Sequence, residues 1–220
     1  MKKYFIITLF IAALSFYTKA QLVTEVSIKP LEFCLLNFET NIAVGTERSR
    51  LGLILAYRPS TQDSGHVEPF GHGADFGDYR TEFNKLYASY TLGLYYKRYF
   101  FRDKSYYFEG DLLFRNWYFK DKQASFDNGE NYNFDGTRTE NVKVYALKIL
   151  GGKTFMLGSE ENKFRLFLDL YSGLGIRYKD AVYETYNGYV NGTYYAYHKE
   201  HYAQVLPAAH IGFKIGFIIR

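Results

Sequence analysis

The residues best suited to chemistry in this chain are histidines and carboxylates, and they gather in two places. His66, Glu68, His72, Asp75 and Asp78 share one Gly-rich polar stretch, and His198, Glu200 and His201 form a second group. Imidazole nitrogen and carboxylate oxygen both serve as ligands for zinc and related ions. Neither spacing matches a metal template, and polar loops carry such residues without any ion. We therefore expect no metal and no cofactor. A hydrolase needs Ser, His and an acid within hydrogen-bond reach. Ser64 and His66 are the nearest pair in sequence, two apart in a loop, while Ser172 would have to be reached by His201 or His210. Neither arrangement forms a motif, so no catalytic residue is assigned. Cys34 is the one cysteine, which excludes an intramolecular disulfide framework and a Cys-rich zinc module. Its neighbours Phe33 and Leu35 favour an inert thiol.

The elements that hold these residues belong to a chain of 220 residues, 47% hydrophobic and 20% aromatic. That is too apolar for disorder and of a length for one domain. Lys2 and Lys3 precede an apolar run from Tyr4 to Tyr17, and Thr18-Lys19-Ala20 then leads into Gln21. This is the layout of a cleaved signal peptide over residues 1–20. The run is short of the roughly 20 apolar residues that a membrane helix needs. Loss of Lys2, Lys3 and Lys19 takes the formal net charge from +4 to +1. A near-neutral domain over residues 21–220 gives no footing for nucleic-acid binding.

Period-two alternation dominates that domain, and successive side chains of a strand point to opposite faces. From Phe164 to Lys179, one face carries Phe164, Leu166, Leu168, Leu170, Ser172, Leu174, Ile176 and Tyr178. The other carries Arg165, Phe167, Asp169, Tyr171, Gly173, Gly175, Arg177 and Lys179. The same pattern marks Leu22–Lys29, Leu36–Val44, Leu51–Arg58, Leu86–Lys97, Tyr106–Lys120 and Leu206–Ile219, and more weakly Val142–Thr154, where Gly151-Gly152 interrupts it. Three connections at one end are short, Gly45–Arg50, Arg102–Ser105 and Met156–Lys163, and Pro30–Leu35 departs by being short where a long one would be allowed. Three are long and polar: Pro59–Lys85, Asp121–Asn141 and Asp180–Gln204. An even strand count, with long loops at one end and short turns at the other, fits an all-β, eight-stranded antiparallel up-and-down transmembrane β-barrel.

The chain resembles the small eight-stranded outer-membrane barrels of Gram-negative bacteria, the OmpA/OmpX type, over residues 21–220. The resemblance rests on strand pattern and carries no activity with it. It implies a cell outer membrane location, contact with outer-membrane lipid, and recognition by the barrel-assembly machinery. Such proteins often finish on an aromatic residue, whereas this chain ends Phe217-Ile218-Ile219-Arg220.

Alternation does not say which face is inside. A secreted lipocalin-like ligand-binding barrel would turn the apolar face inward. Lipid outside is favoured by the glycines among the charges of the polar face, since a narrow barrel must be filled by side chains that fit. It is also favoured by aromatic clusters near strand ends, Tyr99 to Phe101 with Tyr106 and Tyr107, and Trp117 to Phe119, which suit a membrane girdle. The inward charges are then Glu25, Lys29, Glu39, Arg58, Lys97, Glu109, Asp111, Arg115, Arg165, Asp169, Arg177 and Lys214. Buried charges persist when paired or hydrated, so an ion-pair plug is expected rather than an open pore. The last long loop holds Tyr186, Tyr189, Tyr194, Tyr195 and Tyr197 among Asn and Gly, a composition found in recognition loops. The expected role is non-catalytic, structural or surface-interacting, with a surface glycan or protein as ligand. A lipid-modifying outer-membrane enzyme is the rival from another class.

Overall fold

The computed structural model describes residues 22–34, 37–59, 79–80, 86–100, 105–123, 125–126, 137–159, 162–190 and 193–220. The expected signal peptide at residues 1–20, Ser64, His66, Glu68, His72, Asp75 and Asp78 lie outside them, as does the Cys34 side chain.

Eight strands follow one another in the chain: β1 (Val23–Ile28), β2 (Phe38–Gly45), β3 (Ser49–Arg58), β4 (Leu86–Phe100), β5 (Tyr106–Gln123), β6 (Thr137–Leu157), β7 (Phe164–Val190) and β8 (Thr193–Ile219). Each pairs antiparallel with the next, and β1 pairs with β8 to close the ring. A five-residue helix, α1 (Pro30–Cys34), joins β1 to β2, and Tyr79–Arg80 pairs with Ser125–Phe126 in a small separate ladder.

The register sets the barrel's shape. One circuit of cross-strand partners runs from Ile215 to Ile28, Thr40, Leu55, Leu92, Phe114, Tyr145, Tyr178 and back to β8 at Val205. The ring therefore closes with a stagger of ten residues, from Ile215 to Val205. For eight strands such a shear gives a tilt of about 40° and an interior just wide enough for side chains to fill.

Local chemistry fixes the turns. The β2–β3 turn is held by the Thr46 N–H donating to the Ser49 carbonyl at 2.8 Å, while Thr46 Oγ1 accepts from the Ser49 N–H at 3.1 Å. Gly158 leaves β6 at a φ of +98°, a region that favours glycine. At α1, the Asn37 amide donates to Glu32 at 2.8 Å and the Phe33 and Phe38 rings meet edge to face at 5.2 Å.

The strands differ from the sequence expectation in length. Asp180–Gln204 is not a loop: β7 and β8 run 27 residues each and pair from Phe164–Ile219 up to Val190–Thr193. β6 likewise begins at Thr137 and β5 reaches Gln123. By contrast β1, β2 and β3 end low, at Ile28, Phe38 and Arg58. Among the described residues the wall is thus tall on one side and low on the other. Above Tyr178 the paired β7–β8 ladder continues for about 40 Å of strand. Pro207, expected near a strand start, lies well inside β8 opposite Ile176. It is tolerated because β1 pairs with β8 only over Ile215–Ile219, leaving β8 an edge strand at Pro207 among the described residues.

Candidate functional site

The apolar face points outward. Leu53, Leu55, Leu92, Leu94, Leu112, Leu147, Ile149, Leu170, Leu174 and Ile176 are all exposed on the outer wall. This overturns the lipocalin-like alternative, which requires an apolar lumen. Aromatic rows bound the belt on both sides. On the loop side, Tyr90, Phe114, Tyr145 and Tyr178 follow one another around the wall with ring centroids 5.2–6.2 Å apart. On the turn side, Phe100 meets Phe108 at 5.2 Å and Phe164 meets Phe217 at 5.1 Å. From Phe100 to Tyr90 along β4 is about 33 Å of strand, or about 25 Å along the axis at that tilt.

Four aromatics expected in the girdle are elsewhere. Tyr99, Tyr107, Trp117 and Phe119 are buried inside. Their parity explains this: Tyr99 shares a face with Lys97, Tyr107 with Glu109, and Trp117 with Arg115. Nearness to a strand end says nothing about face; alternation does.

The lumen is layered. At the turn end lies an apolar floor of Val23, Phe167 and Ile218, with Met156 packed against it. Arg165 lies nearby, its guanidinium 3.5 Å from the Gly158 carbonyl. Above the floor, Lys97 is fully enclosed and donates to Asp169 at 2.5 Å and to Glu25 at 3.3 Å. Arg50 also binds Glu25, and the Thr154 hydroxyl donates to Asp169. The Lys97 ammonium further lies 4.2 Å from the Tyr107 ring centre and 5.1 Å from that of Tyr99. Lys214 pairs with Glu109 at 2.5 Å, and Lys29 with Glu39 at 2.6 Å. Glycines admit the large rings: a Cβ at Gly52 would collide with the Tyr95 ring.

Farther toward the loops, Arg58 and Arg115 lie over the Trp117 ring, at 5.5 and 5.4 Å, and Arg115 Nε donates to Thr91 at 2.8 Å. Arg177 points inward from β7, half-buried. Asp111 is fully buried, and neither of its oxygens takes a hydrogen bond among the described residues. These charged side chains face inward, and Arg50, Lys148 and Lys179 share the lumen with them. Arg50 belongs to β3 rather than to the turn before it, and Lys148 sits in the strand that Gly151-Gly152 obscures.

The tyrosine cluster lies on the raised β7–β8 hairpin rather than on a loop. Tyr186 and Tyr197 are cross-strand partners with rings 5.2 Å apart. Both hydroxyls donate to Glu184, at 3.2 and 3.4 Å, and Lys199 pairs with the same carboxylate at 3.2 Å. The Lys199 hydrogen bond, with the two phenols adding, holds Glu184 below its ordinary carboxylate value. Tyr194 is exposed, Tyr195 stacks on His198 at 4.6 Å, and Tyr189 pairs with Tyr194 through the backbone, its side chain lying outside the described residues. The inner face of the raised sheet holds an apolar cluster of Trp117, Phe119, Val142, Val144, Ala181 and Tyr183, with Glu140 and Lys179 buried on the same face.

Among the described residues, those considered for chemistry do not converge. His198 pairs with Glu200 at 3.0 Å, while His201 pairs with Asp180 instead. Ser172 is exposed on the outer wall opposite Ile211, and His210 points inward.

The fold and the lumen define an all-β protein: eight antiparallel up-and-down strands in a closed ring, with charges inside. Neither a family nor a curated protein matches the chain. Among solved structures it is similar to a major outer membrane protein from Thermus thermophilus, with 13% identity over 92% of this chain and 99% of that one, at a TM-score of 0.39.

Proposed function

We propose that this chain is an outer-membrane β-barrel with a lumen plugged by its own side chains, and that it acts at the cell surface without catalysis, through the raised sheet. The observation that carries the reading is the outer wall: an apolar belt between two aromatic rows, with ion pairs turned inward. In lipid every backbone group must be satisfied within the protein, and a closed ring of strands does so. The belt's height of about 25 Å suits an outer membrane. Insertion then depends on lipid and on the barrel-assembly machinery, and a signal peptide at residues 1–20 supplies export. The surface ligand is a glycan or a protein, held by tyrosines that offer large contact area and few torsions to freeze.

The test is fractionation of native membranes with heat-modifiability on gels. Recovery in the outer membrane with a mobility shift on boiling is the expected result, and a soluble periplasmic or secreted protein would overturn it. The surface role has its own test. Replacing Asn187–Ala196 by Asn-Gly joins Tyr186 to Tyr197, which already face each other. The shortened barrel keeps its mobility shift and loses binding of whole cells to glycan or protein arrays. Unchanged binding would remove the raised sheet from the reading.

A further inference from the structure

Lys148 and His210 are inward groups that the plug does not use. Lys148 stands opposite Asp111 across the β5–β6 ladder, yet no ion pair joins them. Among the described residues the Lys148 ammonium makes no hydrogen bond or ion pair; the charges of Lys29, Glu39, Asp111 and Arg115 act on it most strongly. His210 Nε2 is buried and also lacks a partner among them. Gly175 brings the two together: a Cβ built there would lie 3.2 Å from His210 Nε2 and 3.3 Å from Lys148 Cγ. The charges that act most strongly on His210 are Lys148, Arg177, Lys29 and Arg115, all cations. Two carboxylates share this stretch of lumen, Glu39, held by Lys29 at 2.6 Å, and Asp111. Among the charges acting on these two groups, cations outnumber carboxylates, which favours an anion there.

From this geometry we infer an oxyanion site in the lumen, with the Lys148 ammonium and the His210 Nε2–H as donors to a phosphate group. Charge-assisted hydrogen bonds of this kind are the strong ones, and a buried unpaired donor is costly to leave unmade. The site lies beside the low side of the wall. β1 stops at Ile28, and α1 packs against β8 in its place. The phosphate can therefore be a free anion entering from the mouth or a lipid headgroup entering beside α1. The inference stands on the lumen alone and does not need the proposed surface role.

The experiment uses the full refolded chain. Titration calorimetry with inorganic phosphate in a neutral detergent is one arm. The other is reconstitution in phosphatidylcholine vesicles with and without phosphatidylglycerol, followed by phosphorus analysis of solvent extracts of the repurified protein. Saturable phosphate binding weakened about tenfold or more in Lys148→Gln, and weakened also in His210→Gln, supports a free-anion site. Retention of phosphatidylglycerol by wild type, lost in both variants, supports the same site filled by a headgroup. The control Lys199→Gln, on the raised sheet, changes neither. Heat-modifiability confirms that each variant is folded. No binding by wild type in either arm, or binding unchanged in both folded variants, overturns the inference.

Discussion

Lys97 serves two carboxylates at once. Among the described residues, Glu25 keeps its bond to Arg50 if Lys97 is lost, whereas Asp169 keeps the hydrogen bond from the Thr154 hydroxyl. Breaking a buried pair by removing one partner costs about 3–5 kcal/mol, because the other charge stays behind. Lys97→Met should therefore destabilise the refolded barrel in urea by that much, and Lys97→Met with Asp169→Asn should cost less. A single variant as stable as wild type would mean that the layer is hydrated and not held by the pair. On the raised hairpin the expectation concerns pH. Glu184 is held below its usual value of 4.5 by Lys199, Tyr186 and Tyr197. Its contribution is present above that value and is lost as pH falls through the lower, folded one. Hydrogen-exchange protection factors over residues 183–200 should thus fall on acidification below about pH 4.5, and Glu184→Gln should flatten the dependence. The inward charges of the clear strands are legible in the sequence because parity alone assigns them a face. That these meet as Lys97 with Glu25 and Asp169, or Lys214 with Glu109, needs the strand order and register, which alternation does not contain.

At the scale of elements, alternation is legible only where one face meets a different medium from the other. From Phe164 to Tyr178 the outer face is apolar and the inner one polar, so β7 reads as a strand. Beyond Asp180 the outer face carries Glu184, Tyr186, Lys199 and His201, and the contrast ends although the pairing continues. Polar composition there marks strands leaving the belt, and composition alone does not separate that case from a loop. The same logic predicts where the hairpin is weakest. Between Thr193 and Lys214, β8 has β7 as its sole strand neighbour among the described residues, and its upper half lacks the burial seen at Phe167 and Ile218. Such segments open locally at low free energy. Amides of residues 183–200 should exchange at least about tenfold faster than those of 166–172 in the folded barrel. Equal protection along the whole of β7 would mean that the raised sheet has a partner covering its edge.

For the whole molecule, the stagger of ten decides what the interior can be. Eight strands at that shear leave room for side chains but not for a channel unless the side chains are small or move aside. Here the side chains are large. Phe167 and Ile218 close the turn end with Val23, and Lys97 bridges the lumen directly above them. Tyr95 and Tyr107, both buried, fill the space over Gly52 and Gly152. An ion crossing this barrel would have to displace an apolar floor and then pull two carboxylates away from one ammonium. Wild-type protein in planar bilayers should accordingly give no stable conductance. Phe167→Ala removes most of the floor, at a cost of about 3–5 kcal/mol in stability, while leaving the Lys97 layer in place. It should remain closed, and only its combination with Lys97→Ala should admit brief small openings. A large, steady conductance from wild type would show that the layers hydrate and separate in lipid, and the charged lumen would then be a route for ions rather than a brace for the wall.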